Sequence, residues 1–99
     1  MRLSRLLQGL ETSAPVGSAD PEIRALASDS REVREGTLFV CLAGERADGH
    51  LFAKEALARG AAAVLAERPL DLGDAPLVLV PSTRRALAEL ALRMEENPQ

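Results

Sequence analysis

Leu3, Leu6, Leu7 and Leu10 recur at the spacing of one helical face, with Ser4 and the flanking Arg2 and Arg5 on the other, so the chain is expected to open with a short helix. Residues 11–20 break that pattern with Ser13, Pro15, Gly17 and Ser18, the composition of a surface loop. Ile23, Ala25 and Ala27 then alternate with Arg24 and Leu26, which predicts a short strand with the first three on one side. Residues 37–42, after Gly36, run apolar without alternation. Their number and the presence of Phe39 and Val40 predict a strand buried on both faces.

A loop over 43–49 leads to a helix over 51–59, capped by Asp48 or His50 and ended by Gly60, with Phe52, Ala56 and Leu57 facing inward. Residues 62–66 form the next strand. Strand, short helix and strand in this order predict a right-handed βαβ unit. Pro69 and Gly73 mark 67–75 as a loop, and 77–80 is another buried strand that Pro81 ends. Ser82 or Thr83 caps a last helix, in which Leu87, Leu90, Ala91 and Met94 face the core until Asn97-Pro98 stops it. The expected fold class is α/β: a small single domain over 1–99, its sheet mostly parallel or mixed and flanked by about three helices.

Composition narrows what such a domain does. Ninety-nine residues make one domain, and a chain of this size buries roughly 60–68% of its unfolded surface. Phe39 and Phe52 are the only aromatics, so base-stacking platforms for single strands are not expected. A net charge of −3, with signs interspersed, also argues against a nucleic-acid partner. Cys41 is the only cysteine. No intrachain disulfide can form, a reducing cytoplasmic setting fits, and a thiol inside an apolar run reads as buried and inert. No apolar run reaches membrane-spanning length. The N-terminal arginines beside leucines faintly resemble a signal peptide, but Gln8, Gly9 and Glu11 interrupt the run too early.

The candidate chemistry lies in two polar turns around the strand over 37–42. In the first, Ser28-Asp29-Ser30-Arg31, Asp and Ser side chains cap backbone N–H groups, and on local chemistry alone a plain turn is favoured. The functional reading gives the Ser30 hydroxyl to a polar ligand edge such as a uracil or a ribose, with Arg31 serving a phosphate or pairing with Asp29. The second turn, Gly44-Glu45-Arg46-Ala47-Asp48-Gly49-His50, lies between a strand and a helix N-terminus, on the usual ligand side of a parallel sheet. There a ligand site and a sharp connection capped by Asp48 stand even. The turn is not a phosphate-binding loop of the Gly-x-x-x-x-Gly-Lys-Ser/Thr kind, since Lys54 is the only lysine. His50 has no second His or Cys nearby and reads as a capping or solvent-facing residue rather than a metal ligand. Nothing places Glu45 and Asp48 across a reacting bond. Arg84-Arg85 reads as a solvated helix face.

These same residues carry a resemblance. Asp29-Ser30-Arg31, Val33, Gly36, Leu38-Phe39-Val40, Leu42, Gly44, Asp48-Gly49-His50, Phe52, Ala56 and the run from Gly60 to Val64 resemble the N-terminal domain of the Mur ligases of the MurE and MurF types. The likeness covers nearly the whole chain and is nearer to MurE, in the opening 1–7 and in Asn97-Pro98. It implies a cytoplasmic, ATP-dependent enzyme of peptidoglycan synthesis. It further implies that this domain binds the nucleotide end of UDP-N-acetylmuramoyl-L-alanyl-D-glutamate, to which meso-diaminopimelate or L-lysine is added. Carried over by position, the substrate contacts are Ser28, Ser30, Glu45, Arg46 and Ala47, with Asp29, Arg31, Asp48, Gly49 and His50 in support. The family's ATP loop and carbamylated lysine fall in later domains. On this resemblance no catalytic residue, metal or cofactor belongs to residues 1–99, and ATP and Mg2+ belong to the full-length enzyme, a monomer whose own ATPase and C-terminal domains are this domain's partners. Two other functions stay open: a free-standing nucleotide-binding or adaptor module, and a small interaction protein docking through the Leu3/Leu6/Leu7/Leu10 face.

Overall fold

The computed structural model describes residues 1–12, 20–44 and 48–96. Four strands lie side by side in chain order and all run parallel: β1 (Ala25–Ala27), β2 (Thr37–Val40), β3 (Ala63–Ala66) and β4 (Leu77–Leu79). Among the described residues three helices accompany them, α1 (Leu3–Leu6), α2 (Ala53–Ala58) and α3 (Thr83–Glu96). Single 3-10 turns form at Ser30–Glu32 and Gly49–Phe52.

The unbroken apolar runs of β2 and β3 follow from their central position, because every residue of both strands is buried. Leu38 sits opposite Leu26 and Ala63, and Phe39 opposite Ala27 and Val64. Alternation along the strands sends Leu38, Val40, Leu65 and Val78 to one face, where Leu3, Leu6 and Leu7 and, from α3, Ala86 and Leu90 cover them. Phe39, Val64, Ala66 and Leu77 point to the other face, against Val33 and, from α2, Ala53 and Ala56. All three strand-to-strand connections cover this second face. With the strands in sequential order, that makes the three crossovers share one hand. The β3–β4 connection has no helix and covers the face with Leu70 and Leu72 instead.

Four expectations are corrected. Leu3, Leu6 and Leu7 are buried, with Leu10 packed against them, so the leucine face is core and not a docking surface. Ile23 precedes the ladder, donates its N–H to Met1 O at 2.7 Å and joins the α1–α3 core, whereas Ala27 belongs to the opposite face. Phe52 is 40% exposed, and Ala53 takes the inward place beside Ala56. The preceding 3-10 turn has three residues per turn rather than 3.6, which rotates the buried stripe away from Phe52. In α3 the inward positions are Ala86 and Leu90 with Leu87 and Met94 at the margin, while Ala91 is exposed. The loop residues 13–19 and the stop at Asn97-Pro98 lie outside the described residues.

Candidate functional site

Beyond β1, Asp29 caps the 3-10 turn by accepting the Arg31 N–H on Oδ1 at 2.9 Å. The Arg31 guanidinium folds back in a two-pronged pair, Nε to Oδ1 at 3.1 Å and Nη2 to Oδ2 at 2.8 Å. Of the two roles open to Arg31, this structure therefore has the pairing with Asp29. The Arg31 side-chain bonds, followed by its N–H, draw the Asp29 carboxyl down to about 2. Ser30 is buried, and its hydroxyl donates to Glu55 Oε2 of α2. Glu55 in turn lies 4.0 Å from Arg59 Nε, one helical turn on.

Beyond β2, the chain returns on itself. Ala43 and Asp48 form an antiparallel bridge, and the Gly49 N–H donates to Leu42 O at 2.7 Å. A Cβ on Gly49 would lie 2.7 Å from Leu42 N and 2.9 Å from Leu42 O. Glycine is required here by the chain's own backbone, not by a left-handed conformation.

Asp48 accepts the His50 N–H at 3.0 Å and the Arg68 Nη2–H at 2.8 Å, and its Oδ1 lies 2.7 Å from His50 Nδ1. His50 Nε2 accepts the Glu67 N–H at 3.0 Å, which places the neutral ring's proton on Nδ1, toward Asp48. Glu67 then caps α3, taking Thr83 N–H at 2.8 Å and Thr83 Oγ1–H at 3.0 Å on Oε2. His50 is thus a buried bridge between the β2–α2 loop, the end of β3 and the start of α3, and it does not face solvent. The backbone bond from His50, then the bonds from Arg68 and the His50 ring, hold the Asp48 carboxyl well below the usual range. The Thr83 bonds lower that of Glu67.

The two turns meet in one cleft of about 590 Å³ at the C-terminal ends of β1 and β2. Ser28, Asp29, Ser30 and Arg31 form one wall, Leu42 and Gly49 the floor between the strands, and Phe52, Glu55 and Arg59 the wall from α2. Asp48 and His50 are not part of this lining and serve the network behind it. Glu45, Arg46 and Ala47 lie outside the described residues. A second hollow of about 710 Å³ runs along the open edge of β1, between Arg24, Arg34 and Glu35.

The cleft offers two hydroxyls, two carboxylates, two guanidinium groups and one exposed aromatic ring. These groups can hydrogen-bond and pair with a polar ligand, and the ring can pack against a flat one. Among the described residues no three His, Cys, Asp or Glu side chains group so as to hold a metal ion. Cys41 is fully buried, and burial, helped by the Asp48 charge, pushes its thiol up to about 12. Sequence reasoning missed Phe52, Glu55 and Arg59. Their spacing of three and four along one helix face, directly after the second turn, is the signal that could have found them.

The family model described as Mur ligase family, catalytic domain, matches residues 22–94. The UDP-N-acetylmuramoyl-L-alanyl-D-glutamate--2,6-diaminopimelate ligase of Bacillus cereus is 50% identical over 91 residues, 92% of this chain and 18% of its own length. The protein of that name from Syntrophomonas wolfei is 48% identical over 99 residues, 99% of this chain and 20% of its own. Among solved structures, MurF from Acinetobacter baumannii superposes with a TM-score of 0.70 at 33% identity, over 97% of this chain and 21% of that one. The MurF ligase from Thermotoga maritima in complex with ADP gives 0.65 at 43% identity, over 74% and 17%. The chain spans about a fifth of the length of the curated relatives it matches.

Proposed function

The chain belongs to the Mur ligase family, and from that premise we propose that residues 1–99 are the substrate-binding N-terminal domain of a MurE-type ligase. On this reading the domain holds the uridine diphosphate end of UDP-N-acetylmuramoyl-L-alanyl-D-glutamate, while a cytoplasmic enzyme adds diaminopimelate in peptidoglycan synthesis. On this reading ATP and Mg2+ act in the ATPase and C-terminal domains of the full-length enzyme. No helix among the described residues is long and apolar enough to cross a membrane.

One observation carries the reading. Residues 28–31 and 49–59, far apart in sequence, converge on one cleft at the ligand side of a parallel sheet. Phe52, half-exposed in its wall, offers a π-face to a planar base. Ser30, Ser28 and the backbone around Gly49 supply hydrogen bonds, and Arg59 and the Arg31–Asp29 pair border the cleft with charge. The substrate contacts assigned are Ser28 and Ser30, together with the loop 45–47, with Asp29, Arg31 and Gly49 forming the wall. Asp48 and His50 tie the start of the 3-10 turn to Arg68 and Glu67 behind the cleft.

The two solved structures described above are MurF ligases, and this favours a second reading in which the added group is a dipeptide. The identities of 48–50% to diaminopimelate ligases weigh toward the first.

The test is Ser30→Ala in the intact ligase. The loss of one neutral hydrogen bond, roughly 0.5–1.5 kcal/mol, raises KM for the UDP substrate about two- to twelvefold with kcat nearly constant. An unchanged KM would refute the assignment of Ser30.

A further inference from the structure

Ser30 and Glu55 come from segments 25 residues apart and meet in the wall of the cleft, the Ser30 hydroxyl donating to Glu55 Oε2. A carboxylate only accepts, so the single proton of this hydroxyl is committed to Glu55. Ser30 is nearly buried, at 7% exposure, and the bond to Glu55 is what fixes the direction of its proton. Among the described residues no group donates to its oxygen, whose lone pairs remain for whatever enters the cleft.

We propose that Glu55 is a positioning residue that locks Ser30 as a hydrogen-bond acceptor, so that the cleft selects a pyrimidine with an N–H at ring position 3. The inference rests on the uridine-nucleotide reading above and adds a reason for choosing uridine. Uracil carries a hydrogen at N3, which the locked Ser30 oxygen accepts. Cytosine has a lone pair there, and two acceptors face each other with neither supplying a proton. A site whose polar group is fixed in one sense rejects the ligand of opposite sense, because both partners stay unsatisfied. Arg59 Nε lies 4.0 Å from the same Glu55 oxygen, and both side chains border the cleft.

The test compares UDP and CDP binding to the isotope-labelled chain, followed by amide shifts of residues 28–31 and 49–59, in the parent and in Glu55→Leu. Glu55 is half-exposed, so its replacement leaves the core intact. The parent prefers UDP about tenfold. In Glu55→Leu the freed hydroxyl turns and donates to cytosine N3, so CDP gains affinity, UDP loses it, and the preference falls at least threefold. A merely structural role for Glu55 would weaken both nucleotides alike. Equal weakening, or a preference unchanged in Glu55→Leu, overturns the role of Glu55 and leaves the uridine reading standing. Silence of the cleft toward both nucleotides at millimolar concentration overturns that reading, and the inference with it.

Discussion

Gly49→Ala should destabilise the fold in the absence of any ligand. The new methyl carbon would sit 2.7 Å from Leu42 N, 2.9 Å from Leu42 O and 3.2 Å from Cys41 Cα. All three are backbone atoms at the end of a buried strand, and none can swing aside as the tip of a side chain would. Overpacking of this kind costs roughly 1–3 kcal/mol. Moving the loop outward also stretches the bond from Gly49 N–H to Leu42 O, now 2.7 Å, worth roughly 0.5–1.5 kcal/mol. Together the loss is about 1.5–4.5 kcal/mol, a large share of the total of about 5–15 kcal/mol for a domain. For a chain of this size it corresponds to a fall in Tm of about 7–22 °C. Urea denaturation followed by circular dichroism measures it, since the chain has no Trp or Tyr to report by fluorescence. Gly73→Ala is the companion. Gly73 has φ +64° but nothing within 4 Å of its would-be Cβ, so the change costs only about 1 kcal/mol. A Gly49→Ala midpoint within about 0.5 kcal/mol of the parent, at unchanged m, would refute the reasoning.

Acid should loosen the loop network before the core. The Asp48 and Glu67 carboxyls are lowered by their bonds in the fold, so their stabilisation is complete above the ordinary carboxylate range and is lost as pH falls through about 4 and below. Urea midpoints should therefore drop between about pH 6 and pH 3, and Asp48→Asn should lower the midpoint at neutral pH and flatten the fall; an equally steep fall in the variant would count against this assignment. Cys41 should react with a thiol reagent at neutral pH far more slowly in the native chain than in denaturant, because it is buried and its thiol is pushed up to about 12. Equal rates would place Cys41 outside the core.

The hydrophobic pattern was a good guide wherever burial decides the residue. The uninterrupted apolar runs of β2 and β3 required cover on both faces, and the parallel sheet follows from that. Periodicity failed where a local turn resets the phase. Phe52 follows the expected helical stripe in sequence, but the 3-10 turn Gly49–Phe52 rotates it out of the core and into the cleft wall. Ile23 obeys strand alternation only on paper, since the ladder begins at Ala25 and Met1 captures its N–H. At the site, the two turns were legible as polar breaks around a buried strand. The partners of their side chains were not, because Glu55, Arg68, Glu67 and Thr83 reach them only through the fold. Nothing in a lone His beside Asp48 announces that its other nitrogen will accept a backbone N–H seventeen residues away.

The central claim is that the paired turns at the strand ends form the nucleotide site, and mapping UDP-N-acetylmuramic acid on the isotope-labelled chain tests it most directly. Saturable amide shifts should centre on residues 28–31, spread along 49–59 and spare the exposed face of α3. Ser30→Ala should reduce the affinity about two- to twelvefold without moving the pattern elsewhere. Saturable shifts confined to α3 or to the outer edge of β1, with both turns silent, would contradict it.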